Sequence, residues 1–99
     1  MKKQLVQFNI PGMTEKQYDQ VWDELRRVGQ SNPTGLIYHV STFQGKNCVV
    51  CDTWESTEAF DRFSKTLIPI LNKLGIREVQ PKISPVYFEY SNVEKHELH

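Results

Sequence analysis

The sequence predicts an α+β domain with the element order β-α-β-β-α-β. Three observations predict it: several stretches alternate apolar and polar residues, two others carry apolar stripes at helical spacing, and a cap or turn signal sits at nearly every junction. With 99 residues the chain reads as one domain over positions 1–90, followed by a polar tail over 91–99.

The first strand runs from Gln4 to Ile10. Val6, Phe8 and Ile10 share one face and Gln7 and Asn9 the other, so the strand has one dry side. Pro11-Gly12 ends it. Thr14 through Gln17 then form a capping box, in which the hydroxyl and the amide side chain satisfy each other's backbone N–H. The helix behind it carries Tyr18, Val21, Trp22, Leu25 and Val28 on one stripe. Gly29 is its stop, and Asn32-Pro33 keeps it from resuming.

A second strand spans Gly35–Phe43 and a third Cys48–Trp54, joined by a short hairpin loop at Gln44-Gly45-Lys46-Asn47. Strict alternation groups Leu36, Tyr38 and Val40 on one face of the second strand, with Ile37 and Phe43 on the other. Ser56 or Thr57 caps a second helix whose stripe is Phe60, Phe63, Leu67, Ile70, Leu71 and Leu74. Pro69 lies inside that stripe and predicts a kink, or a break near Thr66. Gly75 ends the helix. Residues Ile76 to Tyr90 are β-rich but interrupted by Pro81 and Pro85, which confines them to an edge, a bulge or a strand that changes partner. This order is the split βαβ, or ferredoxin-like, unit, with a C-terminal strand extension.

Two helices cover one face of such a sheet. Apolar residues nevertheless fall on both faces of the second and third strands and of the segment Val86 to Tyr90, where alternation alone would leave one face polar. A second copy packed sheet to sheet about a two-fold axis covers the surplus, so the expected partner is the chain itself. Scattered surface hydrophobes are the plainer account. Twelve basic and twelve acidic residues give a net charge of zero, which argues against nucleic acid or an anionic membrane as partner. No apolar run is long enough to cross a bilayer, and the lysines near the N-terminus precede no signal-like apolar stretch. With only two cysteines, a reduced, cytoplasmic setting is expected.

The runs Gly35-Leu36-Ile37-Tyr38-His39-Val40, Val49 through Ser56 and Glu58-Ala59-Phe60-Asp61-Arg62-Phe63 resemble small bacterial dimeric α/β-barrel proteins, which are similar to the antibiotic biosynthesis monooxygenase superfamily. The resemblance covers Leu5 to about Tyr90 and is most specific at Trp54-Glu55-Ser56 with Glu58-Ala59-Phe60. It implies a homodimeric α/β barrel of ferredoxin-like subunits whose C-terminal strand reaches across to the partner. Such families include cofactor-independent monooxygenases, haem-degrading oxygenases, and small isomerases or decarboxylases; fold does not choose among them.

His39 is the candidate catalytic residue. It lies mid-strand with Ser41 on its face and can serve as a base toward a phenol or enol. A satisfied structural histidine is the plainer account. Trp22, Tyr38, Trp54, Phe60 and Phe63 are candidates for an aromatic pocket suited to a planar aromatic or quinone-like ligand, set against an ordinary core. Asp52, in a strand expected to be buried, can orient His39 or pair with Arg62 or Arg77.

Cys48 and Cys51 form a C-x-x-C, but three residues apart on a strand they point to opposite faces, so no metal or redox pair is expected. The histidines of His96-Glu97-Leu98-His99 have the wrong spacing for a zinc-binding helix. Phosphate loops and nucleophile elbows do not occur. Three functions follow: a cofactor-independent monooxygenase-like enzyme acting on a small aromatic or enolisable molecule, a non-catalytic dimeric ligand-binding or structural module, and a haem-handling protein with His39 as axial ligand.

Overall fold

A computed structural model describes residues 2–92. Six elements follow one another: β1 (Gln4–Pro11), α1 (Glu15–Arg27), β2 (Leu36–Gln44), β3 (Asn47–Trp54), α2 (Thr57–Lys73) and β4 (Lys82–Pro85). The strands form one antiparallel sheet in the order β2-β3-β1-β4, the ferredoxin-like arrangement. The His96–His99 run and most of the expected tail lie outside the described residues.

The core lies between the helices and one sheet face. Val6, Phe8 and Ile10 of β1 and Cys48, Val50 and Trp54 of β3 meet Val21 and Leu25 of α1 and Phe60, Leu67, Ile70 and Leu71 of α2. The caps form as their chemistry dictates. The Thr14 hydroxyl accepts from the Gln17 N–H at 3.0 Å, while the Gln17 side chain accepts from the Thr14 N–H at 2.9 Å. For α2 the cap is Ser56, whose hydroxyl accepts from the Ala59 N–H at 3.1 Å. Its start is crowded against β2. Gly35 has φ +93°, and a Cβ there would lie 2.5 Å from the Ala59 Cβ.

Four expectations are corrected. A bulge interrupts the β2–β3 ladder between Leu36 and Tyr38, with Leu36 opposite Trp54 and Tyr38 opposite Thr53. The extra residue, Ile37, turns Leu36 onto the same face as His39, Ser41 and Phe43, and leaves Tyr38 and Val40 on the far face. Strict alternation had separated Leu36 from Phe43. Second, α2 continues through Pro69 as one helix, so the break near Thr66 does not occur. The carbonyl left without its donor belongs to Lys65, which is exposed like Pro69 itself, so water can satisfy it while buried Leu67, Ile70 and Leu71 hold the helix down. Third, only Lys82–Pro85 of the β-rich C-terminal segment is strand, an edge strand set off by Pro81 and ending at Pro85. One further ladder bond follows, from the Val86 N–H to the Lys3 carbonyl at 2.9 Å, and Tyr87, Phe88 and Tyr90 then stand exposed. Fourth, Val28 does not join the buried stripe of α1; it is the C-cap residue and is exposed.

Among the described residues, no helix is long and apolar enough to cross a membrane.

Candidate functional site

The hairpin between β2 and β3 sets the site's register. Gln44 pairs with Asn47 across Gly45-Lys46, and counting back from that turn puts His39 opposite Asp52. Both face the helices. Among the described residues, Asp52 is one of two buried polar ones, with a side chain only 8% exposed, and a carboxylate so placed needs partners. It has two. His39 Nδ1 lies 2.6 Å from Asp52 Oδ1, and the Trp54 indole N–H donates to Oδ2 at 3.4 Å. Asp52 thus orients His39 and is not paired with Arg62 or Arg77.

The other imidazole nitrogen meets a residue from the opposite layer. Tyr18 Oη, on α1, lies 2.7 Å from His39 Nε2, and the Ser41 hydroxyl donates to Tyr18 Oη at 2.8 Å. Trp22, one turn beyond Tyr18, sets its ring edge-on to His39 with centroids 5.3 Å apart. With Asp52 as a carboxylate, a single proton arrangement satisfies every atom around a neutral imidazole: Ser41 O–H to Tyr18, Tyr18 O–H to Nε2, Nδ1–H to Asp52, and Trp54 N–H to Asp52. Transfer of the tyrosine proton to Nε2 preserves every contact and leaves an imidazolium between phenolate and carboxylate.

This chain of groups borders a cavity of about 60 Å³ between sheet and helices. Phe8, Trp22, Trp54 and Phe63 supply aromatic wall, and Tyr18, His39 and Asp52 its polar edge. An apolar cavity that takes a benzene ring is larger, about 150 Å³. A ring therefore enters only if a half-buried wall residue such as Trp22 swings aside.

Of the candidates read from the sequence, His39, Asp52, Trp22, Trp54 and Phe63 come together at this wall. Ser41 stands behind it, bonded to Tyr18. Phe60 lies in the core with its ring 5.6 Å from Trp54 and does not line the cavity. Tyr38 is misplaced by the sequence reading: it lies on the other sheet face, 51% exposed, because β2 directs alternate residues to opposite sides. Tyr18 is the residue the reading missed, since it was assigned to the apolar stripe of α1. Its hydroxyl was the available signal, because a tyrosine facing a core needs a polar partner there.

The cysteines are free and diverge, Cys48 buried and Cys51 half-exposed on the other face. Burial pushes the Cys48 thiol pKa up. Among the described residues, no three His, Cys, Asp or Glu side chains are grouped to hold a metal ion.

No protein-family profile and no curated protein matches the chain. Solved structures do. Rv0793 from Mycobacterium tuberculosis superposes with a TM-score of 0.66 at 15% identity, covering 90% of this chain and 99% of that one. The monooxygenase ActVA-Orf6 of Streptomyces coelicolor, solved with the ligand nanaomycin D, gives 0.62 at 13% identity over 91% of this chain and 92% of its own. SnoaB of Streptomyces nogalater, a cofactor-independent oxygenase, gives 0.59 at 11% identity over 93% and 98%. The chain has the antibiotic biosynthesis monooxygenase-like fold. At these identities the likeness is one of fold.

Proposed function

We propose that this protein is a cofactor-independent, monooxygenase-like enzyme acting on a small aromatic or enolisable molecule. The observation that carries the proposal is the His39–Asp52 pair at the polar edge of an otherwise apolar cavity. A buried carboxylate that holds an imidazole equips it to take a proton. The apolar, aromatic walls suit a flat ligand with one ionisable group at its edge. Deprotonation makes such a molecule electron-rich enough to react with dioxygen itself. One oxygen atom then ends on carbon and the other leaves as water, the electrons coming from the substrate. The solved oxygenases of the same fold support this reading by analogy.

The working unit of this reading is a homodimer in a reducing, cytoplasmic setting. Ile37, Tyr38 and Val40 of β2 are exposed, and so are Tyr87, Phe88 and Tyr90 beyond β4, a surplus of apolar surface that a second copy would cover. The small cavity favours the second reading, a dimeric binding or structural module without turnover. An axial haem role for His39 would require breaking one of its two hydrogen bonds.

The test is dioxygen uptake with a panel of hydroxynaphthalenes and anthrones, with no added flavin or metal. The expected result is uptake that His39→Ala lowers by about a hundredfold or more without unfolding the protein. Equal uptake by the variant would remove His39 from the mechanism. No uptake across the panel would favour the non-catalytic module.

A further inference from the structure

We infer that Tyr18 is the catalytic residue that exchanges a proton with the substrate, and that His39 and Asp52 act behind it as positioning residues. The inference rests on the proton-abstracting reading above and deepens it.

The imidazole is fully engaged. Asp52 holds Nδ1 at 2.6 Å and Tyr18 holds Nε2 at 2.7 Å, so no ring nitrogen is left to meet a ligand. Tyr18 Oη is not so limited. It accepts one hydrogen bond from Ser41 and gives one to His39, and a phenolic oxygen has a second lone pair. Tyr18 lines the cavity and is half-buried. Ser41 and His39 hold its oxygen from two sides, which fixes where a substrate hydroxyl must sit.

The step balances as a double proton transfer. A substrate O–H gives its proton to Tyr18 Oη while the original Tyr18 proton moves to His39 Nε2. The substrate loses one O–H bond, Tyr18 exchanges one for another, and His39 gains an N–H. The imidazolium is then left beside the Asp52 carboxylate, and no electrons are transferred. The ligand class is a hydroxyarene: a flat apolar body against Phe8, Trp22 and Phe63, with its hydroxyl at the Tyr18 edge.

The probe is 4-nitrophenol, whose anion is coloured, titrated with protein at a pH where the free phenol is mostly neutral. Tryptophan fluorescence follows binding independently of ionisation. The wild type is expected to bind the phenol and raise the phenolate band. Tyr18→Phe, which removes one oxygen and keeps the ring in place, is expected to bind it with the phenolate fraction about tenfold lower, as a one-unit pKa change produces. Circular dichroism checks that the variant is folded. A band that persists in Tyr18→Phe and disappears in His39→Ala overturns the assignment, because His39 then takes the proton directly, and leaves the proton-abstracting reading standing. Absence of the band from the wild type overturns both. A band that depends on Tyr18 without dioxygen uptake supports the assignment and removes the oxygenase chemistry alone.

Discussion

Asp52 decides the proton order of the site. Its carboxylate accepts from two N–H groups at once, those of His39 and Trp54. Asparagine has one oxygen and one NH₂ in the same space, so Asp52→Asn turns a donor toward one of them. If the amide oxygen keeps the indole, the NH₂ group faces His39 Nδ1 and forces the ring to carry its proton on Nε2. Tyr18 can then no longer donate to His39. Nitrogen-15 spectra of the imidazole are expected to show the tautomer change from Nδ1–H to Nε2–H, with stability lower by about 1–3 kcal/mol. An unchanged tautomer would show that Asp52 does not set the proton order.

Among the elements, β2 and β3 were the most legible in sequence and the approach of α1 the least. The two-residue turn and the alternation of β3 place His39 opposite Asp52 by counting alone. The bulge at Ile37 leaves no comparable trace, because a bulged residue looks like any other member of an apolar run. Periodicity also shows which face of a helix is buried without showing which strand residue each side chain meets, so the Tyr18–His39 contact was out of reach. Pro69 does not break α2, because the cost of its missing bond depends on whether the orphaned carbonyl is wet. The junction of α2 with β2 offers a direct test. Gly35→Ala combines an unfavourable φ with a contact that backbone or Ala59 must relieve. Urea denaturation is expected to show a loss of about 2 kcal/mol or more. A neutral result would mean that helix and strand approach less closely than 2.5 Å implies.

At the scale of the whole molecule, the two sheet faces differ and the two thiols report on them. Cys48 is fully buried in the core and its thiol pKa is pushed up, so a thiol reagent is expected to leave it unmodified until the protein unfolds. Cys51 lies on the far face beside Val40 and Gln7, the surface proposed to meet a second copy. Its labelling is expected to be fast in dilute protein and to slow as concentration rises. A rate independent of concentration would count against a second copy on that face. The sheet edges differ as well. β4 is four residues long, set off by Pro81 and ending in Pro85, whereas β2 presents nine residues. A proline-bounded edge is a poor template for another strand, and a long one is a good template. Among the described residues, growth in the plane of the sheet is therefore favoured at the β2 edge. Two molecules that join through β2 antiparallel to each other use up both good edges and expose only the poor ones. Sideways aggregation by this route ends in a closed pair, and the prolines that shorten the last strand also guard the molecule against fibres.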